Sequence, residues 1–172
     1  LEEARASGLI AVDRDGVRQE DGVAEPDSGA LALALAALEA QPDAVAAAQV
    51  ATTQGCVVAS LREGLIPMTQ TAFMFHGAIG SHAWDPAAGP DELRARIAAE
   101  IAGCRALLVR GRGLLVTGTT LAQTWKLLFF LDKCCRSQVA AMASANRTGT
   151  PIKIPAPAVV DHAVAQSRAF VA

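Results

Sequence analysis

The stretch that most constrains this chain is Arg105-Ala106-Leu107-Leu108-Val109-Arg110-Gly111-Arg112-Gly113-Leu114-Leu115-Val116-Thr117-Gly118. Two apolar runs, Arg105 to Val109 and Leu114 to Thr117, flank Gly111-Arg112-Gly113. Each is too short for a helix and reads as a strand. Directly afterwards, Thr119 or Thr120 opens a helix from Leu121 to about Ala145. In it Leu127, Leu128, Leu131, Cys135 and Val139 recur at helical spacing. Strands followed by an amphipathic helix call for a layered fold in which helices cover a sheet.

The rest of the chain alternates in the same way. Leu9 to Val12 reads as a strand entering a tight turn at Asp13-Arg14-Asp15-Gly16-Val17. Asp27 or Ser28 caps a helix carrying Leu31, Leu33, Leu35 and Leu38, which Pro42 ends. Ala44 to Ala51 is a short buried strand, and Cys56 to Glu63 a short helix stopped by Gly64-Leu65-Ile66-Pro67. Gly77 and Gly80 break Met68 to Trp84 into short pieces. Asp91 caps a helix from Glu92 to Ala102. Pro151, Pro155 and Pro157 make an extended stretch before a last helix, Val159 to Phe170, with Val160, Val164 and Ser167 on one side. The expected class is α/β: one domain over residues 1–172, in which 151–172 form a C-terminal extended stretch and helix.

Composition narrows the function. The chain has 172 residues, 52% of them hydrophobic, and a formal net charge of -2. That excludes intrinsic disorder and argues against a nucleic-acid-binding surface. Aromatics are 4% and tyrosine is absent, so the core is built from Ala, Leu and Val, and one class of general acid is missing. No apolar run is long enough to cross a bilayer, so no membrane partner is expected. Cys56, Cys104, Cys134 and Cys135 fit no zinc-knuckle spacing and read as reduced thiols of a cytoplasmic protein. The start, Leu1-Glu2-Glu3-Ala4-Arg5, is neither an initiator Met nor a signal peptide. The expectation is a fragment of a longer chain.

Three stretches in order resemble the class II aldolase/adducin family. Gly64-Leu65-Ile66-Pro67-Met68-Thr69-Gln70-Thr71-Ala72 is similar to its "GLLPLSQTAL" segment. Arg105 to Gly118 is similar to "ALLLRNHGLLTVG". Phe130-Leu131-Asp132-Lys133-Cys134-Cys135-Arg136-Ser137-Gln138 follows "YLERACEIQ". Pro42-Asp43 stands where the family has "RPDV", just before its "VVHTH" strand. The resemblance runs from Leu9 onward. It implies an αβα fold with a central, mainly antiparallel sheet flanked by helices. It also implies an oligomer, and an N-terminal segment that is missing here.

The resemblance further implies a metal site. Family enzymes hold a divalent ion with three histidines and use a nearby carboxylate as acid/base; the ion polarises a carbonyl as a Lewis acid. Two of the histidines come from "HTH", whose alternate residues point the same way on a strand. Counting back from Gly64 places Gln49 and Ala51 at those positions. The third, from "RNHG", is Arg112, and the carboxylate position is Ala30. Ala51 has no donor atom, and the neutral amide of Gln49 is a poor zinc ligand. A guanidinium about 4 Å from a dication would be repelled by roughly 8 kcal/mol at an effective dielectric of 20, an upper-end figure. These positions are therefore read as degenerate, with no metal, no cofactor and no catalytic residue, and with Arg112 at or near the vacated metal position.

Other candidates are weaker. His76 and His82 with Asp85 could rebuild a metal site, but hydrogen-bonded or surface histidines are the simpler reading. His162 reads as a solvated helix residue. Cys56 sits at an expected helix start, where a thiol can be activated, but reads as a buried core thiol. Arg110 and Arg112 could hold an anion or make a structural salt bridge. Lys126, Lys133 and Arg136 read as a solvated helix face.

Taken with the resemblance, these positions point to a non-catalytic domain that assembles with protein partners in a homo- or hetero-oligomer. Adducins, which resemble these enzymes and serve the actin-spectrin cytoskeleton, supply a cytoskeletal analogy. The alternatives are a lyase or decarboxylase with a rebuilt metal site, and an inactive subunit that regulates such an enzyme.

Overall fold

The structure is a computed structural model that describes residues 8–19 and 25–171, with side chains up to residue 166. Its elements are α1 (Ser28–Ala40), β1 (Ala46–Val50), α2 (Thr53–Ser60), α3 (Gln70–Phe73), β2 (Ile79–Ala83), α4 (Pro90–Ile101), β3 (Ala106–Arg110), β4 (Gly113–Gly118), α5 (Leu121–Thr148) and α6 (Pro157–Val171). The four strands form one sheet in the order β1-β4-β3-β2. β1 pairs antiparallel with β4, β4 antiparallel with β3, and β3 parallel with β2. The sheet is thus mixed, mainly antiparallel and flanked by helices.

Alternation along the strands builds two cores. Ala106, Leu108, Leu114 and Val116 face Val58 and Ala59 of α2 and Leu128, Leu131, Cys134 and Cys135 of α5. Leu107, Val109 and Leu115 face Leu33, Ala36 and Ala37 of α1 and Leu93, Ile97 and Ile101 of α4. β3 and β4 lie inside the sheet and are covered on both faces, which is why their sequences read as continuous apolar runs rather than alternating ones.

Several local expectations are corrected. Leu9 to Val12 is not a strand; it makes one isolated bridge, Val12 to Arg18. The turn beyond it is held by the Asp13 carboxylate, which accepts from the amides of Asp15 and Val17 at 2.9 and 2.8 Å. α4 starts at Pro90 with Gly89 at its cap, not at Asp91. Proline suits the first helical position because its missing N–H has no intrahelical partner to lose, and Asp91 then sits in the positive first turn. α2 begins at Thr53, capped by the Thr52 hydroxyl, which accepts from the Gly55 amide. Cys56 is therefore inside the helix, not at its start, and is only partly buried. Met68 to Trp84 contains α3 and the edge strand β2.

Other expectations hold. Asp27 caps α1, and Thr120 caps α5, its hydroxyl accepting from the Gln123 amide. α5 runs past its expected end near Ala145 to Thr148, where Gly149 stops it in the left-handed conformation, as glycine does at helix ends. In α6, Val160 is buried; the Ser167 side chain lies outside the described residues.

Candidate functional site

The four positions singled out by the resemblance lie at one end of the sheet. Gln49 stands opposite Leu115 in the β1–β4 register, and so faces the α1 side. Ala51 follows the end of β1 against Gly113, where an added Cβ would come within 2.3 Å of the Val50 carbonyl oxygen and 2.9 Å of the Ala51 Cα. Arg112 lies in the turn between β3 and β4. Ala30 is in the first turn of α1.

Arg112 connects these elements. The Gln49 Nε2 donates to its backbone carbonyl. The Arg112 Nη2 donates to Asp27 Oδ1 at 2.6 Å, and the Ala30 amide donates to the same oxygen at 2.8 Å. Its guanidinium carbon lies 5.1 Å from the Trp84 ring centroid, within cation–π range. A Cβ at Gly29 would meet Arg112 Nη1 at 3.0 Å and Trp84 Cζ2 at 3.1 Å. The bare glycine therefore leaves the slot in which guanidinium and indole meet the start of α1. The Asp27 carboxyl is held below the usual carboxylate range, first by the Ala30 amide and then by Arg112.

Of the two roles open to the Arg110–Gly113 loop, the structure gives Arg112 the structural salt bridge. Arg112 points to the cap of α1 and to Trp84.

This donor set does not fit a divalent ion. It offers one amide, one methyl group and one guanidinium, with no carboxylate at Ala30. Among the described residues no cluster of three or more His, Cys, Asp or Glu side chains could hold a metal. His76 is exposed, whereas His82 is buried on β2 with its Nδ1 2.6 Å from Glu100 Oε2. They do not join Asp85 in a rebuilt site. His162 is exposed on α6 beside Gln166. Lys126, Lys133 and Arg136 are exposed, Arg136 pairing with Asp132 at 2.6 Å.

Sequence reasoning missed three participants. Asp27 was visible only as a cap; its second role, as the Arg112 counter-ion, spans 85 residues and has no local signal. Trp84 carried one hint, being one of two tryptophans in an aromatic-poor chain. The His82–Glu100 pair joins β2 to α4, elements that local sequence does not link. Elsewhere, a cleft of about 730 Å³ lies among Arg14, Leu35, Leu38, Pro42, Val45 and Arg94, near the other end of α1.

Residues 1–139 match the profile of the class II aldolase and adducin N-terminal domain, and the chain belongs to that family. A Pseudomonas aeruginosa protein with "aldolase class 2" in its name is 28% identical over 141 residues, which are 82% of this chain and 54% of that one. Rat beta-adducin is 29% identical over 152 residues, 85% of this chain and 20% of that one. The crystal structure of an aldolase II superfamily protein from Pseudomonas syringae superposes with a TM-score of 0.83 at 26% identity, covering 96% of this chain and 66% of that one. The chain spans about half the length of the first curated relatives it matches. No helix of the described residues is long and apolar enough to cross a membrane.

Proposed function

We propose that this chain is a non-catalytic member of its family, a pseudoenzyme domain that serves as a structural or assembly component of a larger complex in the cytoplasm. The observation that carries the reading is the Arg112 cluster. A guanidinium engaged by Asp27 and Trp84 lies among the positions where the family resemblance calls for imidazoles and a carboxylate. The scaffold around it is packed: two apolar cores and a fully paired inner strand pair. Assembly needs that scaffold and does not need the metal. The partners are protein chains in a homo- or hetero-oligomer, and the cytoskeletal setting rests on the likeness to adducins alone.

The test is metal content. Protein incubated with excess Zn²⁺ or Mn²⁺ and then dialysed should retain far less than one ion per chain. Stoichiometric metal held by native side chains, with lyase or decarboxylase turnover, would overturn the reading. In the same assay the triple variant Gln49→His/Ala51→His/Arg112→His should gain about one Zn²⁺ per chain, since imidazoles supply the neutral nitrogen donors that Zn²⁺ favours. A triple variant that folds yet takes up no metal would show that the three positions do not converge.

A further inference from the structure

The sequence contains one Ser/Thr–Pro step, Thr150-Pro151. It lies in the connection between α5, which Gly149 ends, and α6, which Pro157 opens. Residues 150–156 carry no helix or strand. Proline chemistry draws the connection out: the residue before a proline is held out of the helical region, and each ring fixes its own φ near the polyproline II value. The segment is also tethered. Ile152 and Pro155 are half-buried and Val160 of α6 is buried, whereas Thr150, Pro151 and Lys153 are exposed.

The Thr150 hydroxyl makes no hydrogen bond among the described residues; its amide donates to Thr148 Oγ1 at 3.4 Å. Thr148 differs, because it belongs to the last turn of α5 and its hydroxyl donates to the Ser144 carbonyl at 2.9 Å. Phosphoryl transfer needs a hydroxyl placed in line with the γ-phosphate of a bound nucleotide. Of these two threonines, Thr150 has the free one.

We propose that Thr150 is a phosphorylation site for a proline-directed serine/threonine kinase. Thr150 Oγ1 bonds to the γ-phosphorus of ATP, the bond to the β–γ bridging oxygen breaks, ADP leaves, and the hydroxyl proton passes to the kinase's catalytic carboxylate. The backbone selects the class of kinase. Downstream, Pro151 has no N–H to satisfy and offers its ring to an apolar pocket, and Lys153 stands about 9 Å further on at the polyproline II rise. Upstream, Arg147 stands three residues before Thr150, the spacing at which other kinases read a basic residue. Arg147 is in the last turn of α5, however, and Gly149 then turns left-handed, so Arg147 and Thr150 do not share one extended strand. The fold withholds the basic signal and presents the proline.

The product is accommodated as well. A phosphate just beyond α5 meets the negative end of the helix dipole. Arg147 and Lys153 flank it in sequence, are exposed, and have no ion-pair partner among the described residues, which leaves both to meet a dianion. This modification goes beyond the non-catalytic reading and does not depend on it.

The intact folded protein, incubated with ATP and a proline-directed kinase, tests it. A kinase that requires arginine three residues upstream is run beside it. The first kinase should add about one phosphate per chain, mapped to Thr150 by tandem mass spectrometry and lost in Thr150→Ala. Pro151→Ala should cut the initial rate at least ~10-fold, the scale on which one pocket contact discriminates substrates. Arg147→Ala should leave the rate unchanged. The second kinase should spare the folded Pro151→Ala protein yet modify a peptide of residues 144–158 with the same substitution.

A folded protein that the proline-directed kinase leaves unmodified overturns the proposal. So does phosphate placed away from Thr150, a Pro151→Ala rate equal to that of the wild type, or modification of folded Pro151→Ala by the second kinase. None of these outcomes touches the non-catalytic reading, which stands or falls on metal content and turnover.

Discussion

Asp27 shows how much one carboxylate can join. A single oxygen caps α1 through the Ala30 amide and anchors the β3–β4 turn through Arg112. Because its pKa is depressed in the folded protein, its stabilisation is fully present above the ordinary aspartate value of about 3.9 and is lost as pH falls through the folded value. Asp27→Asn keeps a good cap but removes the ion pair. Urea midpoints taken from neutral pH down to pH 2.5 should fall less steeply for this variant than for the wild type. Part of the acid loss should persist, because Asp43 is held low in the same way by Arg105.

The thiols offer a second check at this scale. Burial pushes Cys134 up to about 11 and Cys135 up to about 12, so neither forms thiolate near neutrality. At pH 8, iodoacetamide should leave both unmodified in the native protein and label them quickly in urea, as read by peptide mass mapping. What was legible at this scale were identities: Gln49, Ala51, Arg112 and Ala30 stand at the positions that the family resemblance picks out. The sequence did not show where the Arg112 guanidinium would turn, since Asp27 and Trp84 are reached only through the tertiary fold.

Among the elements, those with strong local chemistry were legible and those made by their neighbours were not. β3, β4 and α5 follow from continuous apolar runs and helical spacing. β2, with sequence Ile79-Gly80-Ser81-His82-Ala83, has little strand propensity of its own. It exists because β3 pairs with it in parallel and α4 packs beside it. Conversely, Leu9 to Val12 has strand-like residues yet joins neither edge of the sheet.

The same dependence shows at the loop after α2. Gln138 of α5 is buried, accepts from the Ile66 amide at 2.7 Å and donates to the Gly64 carbonyl at 2.8 Å. Gln138→Leu keeps the volume but strips two backbone partners. It should cost about 1–3 kcal/mol in urea unfolding, the penalty of unmet polar groups. A neutral result would mean that water reaches Gly64 and Ile66 readily.

At the scale of the whole molecule, one sheet separates two aliphatic cores. Leu131 belongs to the α5 side and Ile97 to the α4 side, and both are fully buried. Each truncation to alanine should cost about 2–5 kcal/mol. Because the two side chains share no cluster, the double variant should lose the sum of the single losses within about 0.5 kcal/mol. A larger departure would show that the sheet transmits strain from one core to the other. The layered class was legible because strands and helices alternate along the chain. The sheet order was not, because it depends on β2, whose residues give no strand signal.

Strands buried on both sides raise a problem that hydrophobicity cannot solve. Sliding β3 or β4 by one residue would exchange Leu107 with Leu108, or Leu114 with Leu115, and an oily pattern would hardly notice. Steric fit has to do the indexing. The missing side chain of Gly113 admits the Val50 carbonyl, and that of Gly80 admits the Glu100 carbonyl, each 2.2 to 2.3 Å from where a Cβ would sit. A slipped alignment would drive a side chain into one of these gaps. Like the notches of a key, the two glycines let a nearly uniform aliphatic chain tell one alignment from the next.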